Sequence, residues 1–228
     1  MNKRNKDAHL DSNDVLVSFD VVSLFTKAPI PDAIEIVKRK SNSEIASLVE
    51  LCLRSTFFSF QEVIYEQVDG VAMGSPLSPV VANLFMEHFE ESALRTFPLQ
   101  PKWWKRYVDD TNVCWPHGLD RLEEFQQHIN NLVPSISFTK ELECNNQLPF
   151  LDVLLIKKPD GSLGRRVFRK ATHTDLYIHS SSHHHPSQKL GILKTLALRA
   201  YRIFYNDHLN LELDHLCKFV RLNGYSPK

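Results

Sequence analysis

A chain of 228 residues, 43% hydrophobic and 24% charged, is long enough to bury a real core and has the composition of one globular domain with at most a small appendage. Its 27 Lys/Arg cancel its 27 Asp/Glu, so any nucleic-acid role must rest on how charge is distributed and not on its sum. No apolar run approaches the ~20 residues of a membrane span, and the polar start has no apolar stretch behind it to make a secretory signal.

Residues 1–13 are polar and predict a disordered tail. Val15 to Asp20 is a buried-strand run that ends on an acid. Pro29 and Pro31 bracket a turn, after which residues 32–40 and 44–54 predict helices, with Ser41, Asn42 and Ser43 supplying the break and a cap. In the second helix Ile45, Leu48, Val49 and Cys52 keep helical spacing and predict a core-facing stripe. Residues 57–60 and 63–68 predict a hairpin around Gln61 and Glu62 that feeds a turn at Asp69 and Gly70. In Met73-Gly-Ser-Pro76, Gly74 lets backbone approach a ligand, Ser75 can cap, and Pro76 can open a long helix reaching about Thr96. The free N–H groups of such a helix start favour an anion. His88 falls in line with Leu77, Val81 and Leu84 and predicts a core histidine.

The most demanding stretch follows. Two short β-prone runs, Trp103 to Val108 and Asn112 to Trp115, flank the adjacent carboxylates Asp109 and Asp110 and predict a hairpin with acids at its tip. Aspartate is a good turn residue in any case, but adjacent carboxylates repel unless something cationic stands between them. If the strand ending at Asp20 lies beside this hairpin, Asp20 and Asp109 converge at one end of a sheet. Oxygen-only clusters of that kind suit hard cations, Mg2+ above all. Two such ions about 3.5–4 Å apart serve in-line displacement at phosphorus.

Leu122, Phe125, Ile129 and Leu132 then mark an amphipathic helix ending at Pro134, and residues 136–140 a strand. Residues 150–157 and 164–169 predict a hairpin around Pro159, Asp160 and Gly161. The run Ser180 to Pro186 holds three adjacent histidines, which point different ways and predict an irregular polar loop instead of a metal site. Residues 187–205 predict a helix with Leu190, Leu193, Ala197, Ala200, Tyr201 and Phe204 on its packed stripe. Arg199 and Arg202 face away from that stripe, with Lys189 and Lys194 at its edges, free for phosphates. A last helix covers residues 209–222. From Lys157 onward there are thirteen Lys/Arg against five Asp/Glu, and before it fourteen against twenty-two. A basic C-terminal third could therefore follow a phosphate backbone while the acidic part holds metal. The cysteines (Cys52, Cys114, Cys144, Cys217) have no paired spacing and read as free thiols of a reducing compartment.

This order of elements predicts an α+β fold, an antiparallel sheet with helices on one face. Three ordered motifs give it a family resemblance. Tyr107-Val-Asp-Asp110 resembles the catalytic box of reverse transcriptases, Asp20-Val-Val-Ser-Leu-Phe25 their first catalytic motif, and Gly70 to Pro79 their substrate-positioning turn. Leu148-Pro-Phe-Leu-Asp-Val-Leu154, Thr172-His-Thr-Asp175 and Arg199-Ala-Tyr-Arg202 resemble the Penelope-like retroelements more narrowly. The resemblance implies a right-hand polymerase palm with partial fingers helices over residues 14–157 and a palm–thumb connection with a partial thumb over 158–228. It implies RNA-directed DNA synthesis on an RNA template and a DNA primer from deoxynucleoside triphosphates, inside the cell and acting in the nucleus, with no membrane partner. Two Mg2+ (or Mn2+) ions would sit on Asp20, Asp109 and Asp110, with the Val21 carbonyl as a further ligand. Lys140 would protonate the leaving pyrophosphate. Phe25 would exclude a ribose 2′-hydroxyl, and Met73, Gly74 and Ser75 would floor the nucleotide pocket, although many family members carry Gln where Met73 stands. The family also carries fingers strands before the first Asp motif and commonly a GIY-YIG nuclease after the thumb, so the expectation is a fragment with weak or no activity alone. The rival readings are a palm remnant that holds RNA without chemistry and a host-adopted interaction module.

Overall fold

Strand β1 (Val15–Val21) is the member on which the first sheet is built, because its residues alternate between two environments. Val17, Phe19 and Val21 are buried against helices, while Ser18 and Asp20 take the opposite face, as the two-residue strand period requires. The computed structural model describes residues 9–203 and 209–225. Its backbone divides into two units, Asn13–Leu142 and a second made of Glu143–Lys228 with the described residues before Asn13.

In the first unit four antiparallel strands lie in the order β4 (Trp103–Tyr107), β5 (Asp110–Trp115), β1 and β6 (Phe138–Leu142). One face is covered by α4 (Ser78–Thr96) and α5 (Leu119–Leu132). Phe85, Met86 and Phe89 of α4 and Leu122, Phe125 and Ile129 of α5 close over Phe19, Val113 and Trp115. Phe125 stacks on Trp115 at 5.0 Å and meets Phe19 edge-on at 6.2 Å. Truncating such a ring to alanine costs about 3–5 kcal/mol. The short α1 (Leu24–Lys27), α2 (Ile30–Lys40) and α3 (Ser43–Arg54) follow β1, and Ile30, Ala33, Ile34 and Leu53 join Val71 and Val81 in a second cluster. Asn42 caps α3, its side chain accepting from the Ile45 N–H at 2.8 Å. The hairpin β2 (Phe57–Phe60) and β3 (Val63–Glu66) is turned by Gln61 and Glu62, both at positive φ.

Three expectations change here. The α3 stripe is only partly core: Ile45, Leu48 and Cys52 are exposed, Val49 is half-buried against the second cluster, and Ala46 and Leu53 are the buried residues. Helix α4 starts at Ser78 and not at Pro76, because residues 72–78 first make a tight turn in which the Ser78 hydroxyl donates to the Ala72 carbonyl. His88 is exposed, one position round from the Phe85–Phe89 stripe.

The second unit has a three-stranded antiparallel sheet, β7 (Gln147–Phe150), β8 (Val153–Lys157) and β9 (Leu163–Val167), followed by α6 (Pro186–Ile203) and α7 (Leu209–Leu222). Leu10 is buried, and its N–H donates to the Gly161 carbonyl at 2.8 Å, so the inner end of the expected tail is packed chain. Residues 1–8 lie outside the described residues. The irregular run between β9 and α6 is held by the C-terminal end. Asn223 accepts from the Tyr177 N–H at 2.8 Å and donates to the Asp175 carbonyl at 2.9 Å, and the Tyr225 hydroxyl donates to the Ile178 carbonyl at 2.7 Å. The packed side of α6 is also turned relative to expectation. Leu196 and Ala200 are buried, whereas Leu190 and Tyr201 are exposed, Tyr201 by 76%; Phe204 lies outside the described residues.

Candidate active site

Strand pairing alone brings the three aspartates to one end of the first sheet. Asp20 is the cross-strand partner of Asp110, and the neighbouring Val21 N–H donates to the Asp109 carbonyl at 3.2 Å. Opposed residues of an antiparallel pair share a face, so Asp20 and Asp110 lie on the sheet face away from α4 and α5. The hairpin closes with Tyr107 opposite Asp110, leaving Val108 and Asp109 as its two central residues. Val108 takes φ 59°. For a β-branched residue this left-handed conformation is strained, of the order of 1–3 kcal/mol, and something must hold it.

Arg106 does so, and sequence reading missed it. Its side chain lies on the helix-covered face and donates to the Val108 carbonyl at 3.0 Å, to Glu90 of α4 at 2.7 Å and to Asn83 at 3.0 Å. Glu90 also accepts from the Trp104 indole at 2.9 Å. The pair is well covered, with Arg106 8% and Glu90 16% exposed. The only signal available was alternation: Trp104 and Arg106 share one face of β4.

The electrostatics follow from the convergence. Burial, and then the charge of Asp109, raise the Asp20 carboxyl above its ordinary range. Lys105 of β4, opposite Asn112, shares the sheet face of Asp20 and Asp110, while neither Asp20 nor Asp109 has a side-chain ion pair among the described residues. That donor set, all oxygen and net negative, fits a hard divalent cation. Among the described residues no three His, Cys, Asp or Glu side chains form a complete ligand cluster.

The other residues singled out from the sequence are distributed as follows. Lys140 is not brought to the carboxylates: it pairs in register with Phe19, on the helix-covered face, and its ammonium is bound to Glu123 of α5. Burial lowers its pKa. Phe25 is partly buried against both core clusters, and its carbonyl accepts the Val71 N–H at 2.6 Å. Gly70 (φ 69°) makes this approach possible, because a Cβ there would meet the Thr26 carbonyl at 2.5 Å. Met73 is 72% exposed, Gly74 takes φ 98° in open space, and the Ser75 hydroxyl accepts from the Leu77 N–H. In the second unit Lys189 donates to the Ser180 carbonyl at 2.6 Å and Arg199 pairs with Asp152 at 3.5 Å, while Lys194 and Arg202 are exposed.

Comparison with known proteins bears on the family and the fold. Residues 176–228, which include α6 and α7, match the animal helix-turn-helix domain. The structure resembles telomerase from Candida albicans in complex with a fragment of telomeric RNA, with a TM-score of 0.62 and 10% identity over 92% of this chain and 38% of that one. It also resembles telomerase from Candida tropicalis, likewise with a telomeric RNA fragment, with a TM-score of 0.51 and 12% identity over 96% of this chain and 40% of that one. The chain thus spans less than half the length of either telomerase chain, and at such identity the likeness is one of fold. A search of curated proteins gives no match. Among the described residues no helix is long and apolar enough to cross a membrane. Residues 2–143, which carry the aspartates, the Gly70–Pro79 turn and the whole four-stranded sheet, match the reverse transcriptase (RNA-dependent DNA polymerase) model, and the chain belongs to that family.

Proposed function

We propose that the first unit is the palm of an RNA-directed DNA polymerase of the Penelope-like kind, which adds deoxynucleotides to a primer 3′-hydroxyl on an RNA template. The observation that carries this reading is the meeting of Asp20, Asp109 and Asp110 at one sheet end, with the Asp20 carboxyl raised by burial and then by the charge of Asp109. Asp20 and Asp109 would hold two Mg2+ or Mn2+ ions, with Asp110 and the Val21 carbonyl in support. Bound there, the ions would supply a lowered hydroxyl pKa and neutralisation of the pyrophosphate.

The chain's own residues have separate tasks. Arg106 fixes the turn that presents Asp109, Phe25 borders the sugar, and the Met73–Ser75 turn offers backbone to the nucleotide. Lys140 must leave Glu123 to serve as proton donor. Primer extension on an RNA template with Mg2+ tests the reading, wild type against Asp109→Asn, with calorimetric Mg2+ titration alongside. Extension at comparable rates by both proteins ends the two-metal assignment. The second reading, a palm that holds nucleic acid without chemistry, draws on Lys140 being tied to Glu123 on the other face. It is favoured if the wild type binds a primer–template duplex but neither binds Mg2+ nor extends.

A further inference from the structure

The hairpin of β2 and β3 is set apart by its exposure. Its two strands form a sheet of their own, and every residue from Phe57 to Glu66 is exposed. Register sorts these residues by face. Phe58 opposite Tyr65 and Phe60 opposite Val63 make one side wholly apolar, with the Phe58 and Tyr65 rings stacked at 5.5 Å. Phe57 and Ile64 share the other side with Glu66 and Ser59. The six apolar side chains are 44–75% exposed. At ~150–200 Å² per bare side chain they leave about 600 Å² of apolar surface open, as much as the largest patch of a typical monomer. A two-stranded sheet on its own is marginal in water.

The two edges differ in chemistry. The β3 edge carries Glu62 and Glu66. The β2 edge, Thr56 to Gln61, has no charge and no proline, the devices that keep an open edge from pairing. The Gln67 N–H donates to the Thr56 carbonyl at 2.8 Å, and hydrogen-bonded pairs alternate along an antiparallel ladder. Phe58 and Phe60 therefore turn their backbone groups inward to β3, and Phe57 and Ser59 turn theirs outward. Residues 56–68 hold no Lys or Arg, which speaks against a phosphate-bearing partner.

We propose that the β2 edge is a dimer contact, in which two copies of this chain pair β2 with β2, antiparallel about a twofold axis at Ser59, to form a four-stranded sheet. Opposed residues of an antiparallel pair share a face. An axis at Ser59 thus sets each Phe58 opposite Phe60 of the second copy and continues the apolar face across both hairpins, whereas an axis at Phe58 would set Phe60 opposite Thr56. The acidic β3 edges lie outermost, so assembly closes at two copies. With 27 Lys/Arg against 27 Asp/Glu there is no net repulsion between copies. The apolar surface available falls short of the ~800 Å² that each partner gives to a standard interface, which places the dissociation constant on the order of 10 µM. The contact does not depend on the polymerase reading above.

Sedimentation equilibrium of the full chain from ~1 to ~100 µM, a range that spans this constant, is the test. The wild type should pass from the monomer mass toward twice that mass. Ser59→Lys and Ser59→Glu each set like charges against each other across the axis and should raise the dissociation constant at least ~10-fold. Because residue 59 faces its own copy in this register, an equimolar mixture of the two variants should regain the dimer, a recovery that misfolding cannot imitate. Ile64→Lys, on β3 and beyond screening distance of its copy, should leave the equilibrium within about twofold. A wild type that stays monomeric overturns the proposal and leaves the edge to an extended strand of another protein. A mixture no better than either variant alone overturns it as well. An equal loss in Ile64→Lys would show unspecific association of apolar surface and refute the edge.

Discussion

Replacing Arg106 separates what holds the palm together from what aims the carboxylate turn. Arg106→Met removes the donors to Glu90, Val108 and Asn83 and leaves a covered Glu90 carboxylate with only the Trp104 indole. Breaking a buried pair on one side costs about 3–5 kcal/mol, and the residual exposure of this pair places it near the lower figure. For a chain of this size ~3 kcal/mol corresponds to a drop in Tm of roughly 6–12 °C. Adding Glu90→Gln removes the orphaned charge while keeping an acceptor for Trp104, and should recover most of that loss. It does not restore the hydrogen bond to the Val108 carbonyl. The double variant should therefore melt close to the wild type yet present Asp109 on an unanchored turn, with Mg2+ affinity and primer extension reduced about tenfold or more. Circular-dichroism melts and calorimetric Mg2+ titration read the two effects separately. A double variant with wild-type extension would refute the anchoring role of Arg106. A single variant losing under ~1 kcal/mol would refute the buried-pair reasoning.

Asp109→Asn should reduce primer extension by ~10^3-fold or more while preserving the fold, as removal of a shared metal ligand requires. It should also bring the Asp20 carboxyl back toward its ordinary value, measured by carboxyl NMR titration, because Asp109 is the charge that raises it. With a folded pKa above the unfolded one, Asp20 makes the fold less stable as pH rises through that interval, so Mg2+ should stabilise the protein above the interval and not below it. Asp175 behaves oppositely. Burial would raise it, but the hydrogen bond from His215 and the charges of His215, His173 and Arg169 outweigh burial and lower it. Its stabilisation is present above the unfolded value of 3.8 and is lost as pH falls through the lower folded value, which an acid melt of wild type against Asp175→Asn will read. Phe25→Ala should raise ribonucleotide relative to deoxyribonucleotide incorporation by at least ~10-fold; an unchanged ratio in an active variant would leave Phe25 as packing between the two clusters.

The sheet and the aspartate hairpin were legible because each rests on local rules. β-branched and aromatic runs broken by acids leave few alternatives to a hairpin, and the buried run ending at Asp20 had to pair with something. What periodicity could not give was the direction of the partner. On α3 the spacing of Ile45, Leu48 and Cys52 defines a stripe as good as any, but the neighbours lie on the side of Ala46 and Leu53. Helix α6 is apolar over much of its circumference, so leucine spacing admitted more than one face, and the face chosen placed Arg199 outward when it lies against Asp152. Helix α4 serves both clusters, with Val81 in one and Ala82 in the other, which widens its buried sector without reaching His88.

The placement of Lys140 turns on register, which motif spacing does not record. With Asp20 opposite Thr139, its neighbour Phe19 must lie opposite Lys140, and a shift of one residue carries a side chain to the other face of the sheet. Lys140 therefore takes the helix-covered side with Arg106, and there each cation meets a helix glutamate, Glu123 of α5 and Glu90 of α4. Two strand cations are thus neutralised by helix carboxylates on the face that α4 and α5 cover, while Lys105 of β4 shares the other face with Asp20 and Asp110. The charge of Asp109, which with burial raises Asp20, is what a divalent cation would relieve under the proposed function. A Lys140→Ala variant tests the same division. If it loses stability but extends primers at the wild-type rate, the lysine belongs to the Glu123 pair alone; a lower rate at unchanged stability would show that it reaches the other face during the reaction.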